Sequence, residues 1–95
     1  MKQEVLNGII NLDVHPSMFE HDLIPDSNST DSHLFKIETE NYLIELELIE
    51  YLECDNYGNV GDNYLTVGVF HIFDESGGAY EEYITDEEIL SHINY

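Results

Sequence analysis

Residues 42–53 are the part of the sequence that most restricts the fold. Within them Ile44, Leu46 and Leu48 alternate with glutamates. Because successive side chains of a β-strand point to opposite faces, this period of two predicts a strand with one buried face and one acidic face. The alternation slips near residues 49–51, where we expect a β-bulge.

Further strands are predicted on both sides of this segment. Residues 34–38 precede it across a short hairpin connection, and residues 64–73 follow a loop rich in Gly, Asn and Asp. Residues 64–73 carry apolar groups at successive positions, which predicts a strand covered on both faces. Residues 79–84 form another short strand in this interpretation. Residues 25–32 are a cluster of turn formers and are predicted to be the least structured part.

Two regions have helical signals. Thr85 is expected to cap a C-terminal helix, and Glu88 completes a capping box with it. Apolar positions within residues 5–10 suit a helix, whereas the alternation over residues 10–14 suits a strand, so both remain open. Together the pattern predicts one acidic α+β domain over residues 1–95: a small antiparallel sheet of four to five strands with the C-terminal helix packed on it.

The charge balance limits the function. The chain holds 21 Asp and Glu against two Lys and no Arg, which gives a formal net charge of -19. This excludes a positive nucleic-acid-binding surface and a polybasic membrane anchor. Like charge at this density reduces stability by self-repulsion, while solubility alone needs a net charge of only about 2–8. We therefore interpret the acidic surface as functional, with a merely soluble or halotolerant surface as the alternative.

The predicted partner-binding residues lie in two regions without Lys or Arg, residues 38–62 and 74–95. Carboxylates two residues apart on one strand face are separated by about 6.7 Å, comparable to two phosphate steps of DNA. Tyr57 is expected to be an exposed anchor, because tyrosine joins apolar area to a hydroxyl, whereas other tyrosines can pack across strands. The predicted set is Glu45, Glu47, Glu50, Glu53, Asp55, Tyr57, Asp62, Asp74, Glu75, Glu81, Glu82, Asp86, Glu87 and Glu88.

Catalysis and metal binding have little support in the sequence. The five histidines show no metal-binding spacing, and residues 55–66 lack the Gly and Glu that an EF-hand needs at its sixth and twelfth positions. Cys54 has no nearby His, and its acidic surroundings disfavour the thiolate. We expect a non-enzymatic protein without cofactor or metal. A single cysteine excludes an internal disulfide and favours an intracellular, reducing location such as the cytoplasm.

In length, in the acidic runs ELELIEYLECD (45–55) and DEEI (86–89), and in the near-absence of Lys and Arg, the chain resembles small acidic inhibitors from phages and mobile elements. These include anti-CRISPR, anti-restriction and uracil-DNA glycosylase inhibitor proteins, which act as DNA mimics. They share no fold or sequence motif, so no residue roles are transferred. The resemblance implies an inhibitor that blocks the basic DNA- or RNA-binding groove of a defence enzyme, with a CRISPR-Cas effector as the first candidate.

Other classes share this composition. One is an immunity protein that neutralises a cationic nuclease toxin, and another is an inhibitor of a restriction or DNA-repair enzyme. A third is a structural or regulatory acidic domain that binds histone-like proteins. All of them predict a basic nucleic-acid-binding protein as the partner, with no direct binding of nucleic acid and no membrane.

Overall fold

The structure, a computed structural model, describes residues 2–80 and 84–93. Its elements are α1 (Lys2–Ile10), a 3-10 turn (Pro16–Met18), β1 (Asn28–Glu38), β2 (Tyr42–Cys54), β3 (Val60–Asp74), β4 (Ala79–Tyr80) and α2 (Asp86–His92). The strands pair antiparallel in chain order. The α+β class, the antiparallel sheet and the C-terminal helix are confirmed.

The predicted number of strands, four to five, is not confirmed. The described chain has three long strands, and β4 adds only two residues that pair with Ile72 and Phe73 of β3. Most of the remaining predicted strand, residues 81–83, lies outside the described residues. The sheet is therefore in essence three-stranded, with β2 at its centre.

One face of the sheet forms the core. Ile44, Leu46 and Leu48 of β2 are fully buried, which confirms the predicted alternation. In the register Ile44 lies between Ile37 of β1 and Ile72 of β3, so three strands contribute to one apolar layer. Burial of each such side chain stabilises the fold by about 1.5–3 kcal/mol.

Both helices pack on this core face. Val5 and Ile9 of α1 and Ile89 of α2 are fully buried in the same cluster. A Cβ atom at Gly8 would lie 3.1 Å from Cγ2 of Ile37, so the missing side chain lets α1 approach the sheet closely. Residues 5–10, which suited a helix, are thus helical, because their apolar positions cover the sheet. Residues 11–14, whose alternation suited a strand, follow the helix and belong to none of the strands.

The start of α2 agrees with the predicted cap. Oγ1 of Thr85 accepts a hydrogen bond from the backbone N–H of Glu88 at 3.2 Å. Ile84, just before the cap, is buried beside Ile89 in the core cluster. The acidic first turn also suits the positive end of the helix dipole.

β1 is longer than predicted. Residues 28–32, which were expected to lack structure, pair with residues 49–53 of β2. Ladder hydrogen bonds come from the backbone and do not need apolar side chains, and polar side chains on an edge strand remain solvated. The turn-forming composition of this segment therefore did not prevent a strand, because β2 offered it a partner.

The sheet is irregular at two places. The register between β2 and β3 shifts between Glu47 and Leu48 and again before Cys54, not at the predicted residues 49–51. At the first shift Gly68 of β3 is the additional residue, opposite no single partner in β2. Such bulges increase the local twist of the sheet.

Neither of the two described helices covers the other face of the sheet. Its outward side chains include Leu34, Leu43, Tyr64 and Val69, which are 36–50% exposed. The prediction that residues 64–73 are covered on both faces is therefore wrong within the described chain. We call this surface the open face. Its members, read from the register, are Thr30, Ser32, Leu34, Lys36, Glu38, Leu43, Glu45, Glu47, Ile49, Tyr51, Glu53, Tyr64, Thr66, Val69, His71 and Phe73.

The molecule is elongated. It measures 51 × 20 × 20 Å with a radius of gyration of 15.3 Å, whereas a compact domain of this length has a radius of gyration of about 12 Å. The 15 residues of β3 account for this, because a strand rises about 3.3 Å per residue and so spans about 50 Å. The long strands distribute the acidic side chains along a rod.

Candidate protein-binding surface

The predicted partner-binding residues do not form one patch. The exposed members are Glu53, Asp55, Tyr57, Asp62, Glu75, Asp86 and Glu87. The half-buried members are Glu45, Glu47, Asp74 and Glu88. Glu50 is buried, and Glu81 and Glu82 lie outside the described residues. The structure distributes the described members over the open face, both ends of the sheet and the start of α2.

Glu50 is a correction to the predicted set. Its side chain is only 4% exposed, and its Oε1 lies 2.8 Å from Nε2 of His21. Nδ1 of His21 lies 2.9 Å from Oγ of Ser29. Because an ionised carboxylate only accepts hydrogen bonds, Nε2 is the donor. Glu50 therefore ties the segment that follows the 3-10 turn to the sheet and is not available to a partner.

On the open face, Glu47 lies among apolar side chains. In the register its neighbours are Leu34 of β1 and Val69 of β3, which are 48% and 36% exposed. Glu47 forms no hydrogen bond or ion pair within the described chain. Its carboxylate is an unpaired negative charge framed by two aliphatic groups.

Glu45 is the second carboxylate of the open face. Its register neighbours are Lys36 of β1 and His71 of β3. Lys36 does not form an ion pair with it in the described structure. The two glutamates are separated by about 6.7 Å along β2, as expected for alternate residues of a strand.

The tyrosines divide between packing and exposure. The rings of Tyr51 and Tyr64 stack across β2 and β3, with centroids 5.0 Å apart and an interplanar angle of 12°. Tyr42 packs against the core cluster. Tyr57, in the β2–β3 loop, is 81% exposed, as predicted for an anchor.

Two acidic side chains organise the loops at opposite ends of the rod. Oδ1 of Asp55 accepts hydrogen bonds from the backbone N–H groups of Asn59 and Tyr57, both at 2.9 Å. These bonds, that from Asn59 first, lower the pKa of Asp55 below its ordinary value of 3.8. Oδ1 of Asp74 accepts two backbone N–H groups in the same way, at 2.9 and 2.8 Å. Both carboxylates therefore point in fixed directions.

At α2 only part of the acidic cluster is unpaired. Oε2 of Glu88 lies 2.7 Å from Nζ of Lys2, which links α2 to α1. The hydrogen bond from Lys2 is the main cause that lowers the pKa of Glu88. Asp86 and Glu87 are exposed and have no such partner in the described residues.

The whole body has a high linear charge density. A net charge of -19 over 51 Å corresponds to one charge per about 2.7 Å. This lies between the spacing of about 1.7 Å in duplex DNA and about 3.4 Å along one of its strands. Along its long axis the chain thus carries charge at a density within the range of a nucleic acid.

Added salt is expected to stabilise the fold. Between about 0.01 and 0.15 M salt the Debye length falls from about 30 to about 8 Å, which screens repulsion between distant carboxylates. We expect the Tm to rise by about 4–8 °C, as for about 1 kcal/mol in a domain of this size. Thermal unfolding followed by circular dichroism in NaCl measures it. An unchanged or falling Tm would show that self-repulsion does not limit stability.

Glu4 joins α1 to the β1–β2 turn. Its carboxylate accepts hydrogen bonds from the hydroxyl of Thr39 and from the backbone and side-chain N–H groups of Asn41, the latter two at 3.0 and 2.8 Å. These bonds, that from Thr39 first, lower the pKa of Glu4 below its ordinary value of 4.5.

This predicts a pH-dependent effect of Glu4→Gln. A carboxylate with a lowered pKa in the folded state stabilises fully above its unfolded pKa, and this contribution disappears as pH falls through the folded pKa. The variant should therefore be less stable than the parent at neutral pH, and the difference should shrink below pH 4.5. Urea unfolding of both proteins across this range measures it. A difference that stays constant down to the acid limit would contradict the assignment.

Two further results concern the described ranges. They contain no group of three or more His, Cys, Asp or Glu side chains arranged to hold a metal ion. Neither helix in them is long and apolar enough to cross a membrane.

In comparisons with known proteins, no family model, curated protein or solved structure matches the chain. Its function therefore has to be inferred from its own surface.

Two features of this surface were not predicted from the sequence. The first is the pairing of Glu50 with His21. The burial of Glu50 could have been predicted, because Glu50 has the same even numbering as Leu46 and Leu48 and therefore lies on the same face of the strand. The second is the exposed apolar frame of Glu47. The sequence does contain a sign of this frame, because both faces of β3 carry apolar residues. That pattern predicts a strand buried on both faces, whereas one of its faces is exposed.

Proposed function

We propose that the chain is a non-enzymatic inhibitor that mimics nucleic acid and blocks the basic DNA- or RNA-binding groove of a defence enzyme. A CRISPR-Cas effector is the first candidate target, and the host cytoplasm is then the place of action. The observation that supports this proposal is the rod-shaped body, 51 Å long, with a net charge of -19 and few cations.

The mechanism is electrostatic competition. A strong negative field speeds encounter with a cationic groove, with association rates up to about 10⁸–10⁹ M⁻¹s⁻¹ at low salt. Carboxylates then pair with the Lys and Arg side chains that otherwise bind phosphates. Asp55 and Asp74, already fixed by their loops, lose little freedom on binding. Binding should weaken as salt rises and should exclude nucleic acid.

The first experiment identifies the target and separates specific from general binding. The immobilised chain is incubated with a lysate of the host cell, beside a matrix of polyglutamate that carries the same charge without the fold. We expect the chain to retain a nucleic-acid-binding protein that polyglutamate does not retain, and duplex DNA or RNA to elute it. Identical sets of captured proteins on both matrices would contradict the proposal and favour a general binder of basic proteins.

The captured protein also distinguishes the related functions. A nuclease toxin would indicate an immunity protein, and a restriction or repair enzyme would indicate another inhibitor class. In each case the nucleic-acid mimicry is tested in the same way, by asking whether the captured protein can bind the chain and DNA at the same time.

A further inference from the structure

The open face has exposed apolar side chains along its length. Leu34, Leu43, Tyr64 and Val69 are 48%, 37%, 50% and 36% exposed. In the register Leu34 and Val69 lie on the two sides of Glu47, and Ile49 follows Glu47 on the same face of β2, next to the stacked pair Tyr51 and Tyr64. Leu43 lies apart from them, beyond the row of Lys36, Glu45 and His71. Contiguous exposed apolar surface on a soluble domain often marks an interaction site.

Two unpaired carboxylates lie on this face, Glu47 between Leu34 and Val69 and Glu45 between Lys36 and His71. Glu45 and Glu47 are half-buried although no helix of the described chain covers them. The neighbouring side chains exclude part of their water, and an ion pair is stronger where water is excluded. The exposed carboxylates at Asp86 and Glu87 lack such a frame, and ion pairs there are expected to contribute little.

Gly68 contributes to the position of Glu47. A Cβ atom at residue 68 would lie 2.2 Å from Oε1 of Glu47 and 2.9 Å from Cδ1 of Ile49. The carboxylate therefore lies over the backbone of β3, in the space that a side chain would fill. Ordinary residues can adopt the backbone conformation of Gly68, so the glycine is needed for this space and not for its φ angle.

From these contacts we propose that the open face is the surface that seats the target, and that the target contributes a segment in which Arg or Lys alternates with apolar residues. The cationic groups would bind Glu45 and Glu47, and the alkyl chains and apolar residues would cover Leu34 and Val69. This inference rests on the proposed inhibitor function and names the part of the surface that performs it.

Charge selects this occupant over a second copy of the chain. Two open faces in contact would bring four glutamates together between bodies that each carry a net charge of -19. A cationic segment instead supplies a counter-charge to each carboxylate and apolar area to its frame. The sheet face thus fits a positive, amphipathic partner.

A pair of synthetic peptides tests the inference. In one peptide Arg and Lys alternate with Val, and in the other Ser replaces every Val, so both have the same charge. Binding is measured by fluorescence anisotropy at about 0.05 M salt, where electrostatic binding is strong. We expect the Val peptide to bind about tenfold more tightly, a difference that corresponds to about 1.4 kcal/mol.

Two matched variants locate the site. One double variant combines Glu45→Gln with Glu47→Gln, and the other combines Asp86→Asn with Glu87→Gln. Each double variant removes two negative charges. The first pair should weaken binding of the Val peptide about tenfold, and the second by less than about threefold, since exposed ion pairs contribute little. Equal losses for both pairs, or amide shifts on peptide binding that map away from β2, would overturn the assignment.

A further variant changes the frame and keeps every charge. Leu34→Thr with Val69→Thr should abolish the preference for the Val peptide and leave the Ser peptide unaffected. Gly68→Ala should weaken binding because it displaces the carboxylate of Glu47 without removing it. If these variants bind like the parent while the chain still competes with DNA for its captured target, the inference fails and the inhibitor function stands. If the parent chain does not compete with DNA for the captured target, the proposed inhibitor function itself is contradicted.

Discussion

Replacement of His21 by alanine is expected to lower the free energy of unfolding by about 3–5 kcal/mol, because removal of one partner leaves a buried charge uncompensated. Glu50 is 4% exposed, and His21 is its hydrogen-bond partner. Its Oε2 has no partner in the described residues, so no second donor there replaces the lost one. Domains of this size have a total stability of about 5–15 kcal/mol, so the loss would be a large part of it. Urea unfolding at neutral pH measures the difference.

Two controls separate the buried pair from a general effect of histidine. His15 forms an exposed pair with Asp13, with side chains 59% and 81% exposed, so His15→Ala should change stability by less than about 1 kcal/mol. A double replacement, His21→Leu with Glu50→Leu, should recover most of the loss because it removes both the charge and its partner. If His21→Ala behaves like His15→Ala, Glu50 is not a buried charge held by His21.

Reversal of three exposed carboxylates, Glu53→Lys, Asp62→Lys and Glu75→Lys, is expected to weaken inhibition of the captured target about 100-fold. Each reversal removes an attraction of up to about 1 kcal/mol to the cationic groove and adds a repulsion. These side chains are exposed and make no hydrogen bond within the described chain, so the fold should be retained. Inhibition is measured as the concentration of the chain that halves DNA binding by the target.

The control reverses three exposed carboxylates outside the predicted set, Glu20, Asp22 and Glu40. This variant has the same net charge as the first, and we expect it to lose less than about tenfold in inhibition, because general attraction remains while the contacts are preserved. Equal losses for the two variants would show that only total charge matters and that the predicted positions have no special role.

Salt should act in opposite directions on the free chain and on its complex. In the free chain, screening reduces repulsion among carboxylates and stabilises the fold. In the complex, the same screening weakens attraction to the groove. A protein that becomes more stable but less active as salt rises would fit this account, and this combination distinguishes it from simple unfolding at high salt.

The central strand of the fold could be predicted because its signal is local. The alternation through Ile44, Leu46 and Leu48 fixes which side chains enter the core, and the structure follows it. The cap at Thr85 was equally readable, because Thr85 and its partner Glu88 lie three residues apart in the sequence. In these elements neighbouring residues alone determine the geometry.

Glu50 shows where a correct pattern was not followed far enough. The even-numbered positions of β2 predict that it is buried, but its acidic character suggested exposure. The carboxylate is accepted inside because His21, 29 residues earlier in the chain, reaches it. Such a partner cannot be found from strand periodicity, since it depends on how the segment after the 3-10 turn folds over the sheet.

The open face was missed for a related reason. Apolar side chains on both sides of a strand predict two covered faces, but they do not say what provides the cover. Here α1 and α2 pack on the same face, so Val69 and Tyr64 of β3 remain exposed. The sequence signal was real, and in our account the second cover comes from the target.

The most direct test of nucleic-acid mimicry is a competition measured on one sample. A fluorescent duplex is bound to the captured target, and its anisotropy is followed while the chain is added. Mimicry predicts that the anisotropy falls to the value of free DNA, and that more chain is needed when more DNA is present. If the chain binds the target while the anisotropy stays at, or rises above, the value of the target–DNA complex, the two ligands occupy different sites and the proposal is contradicted.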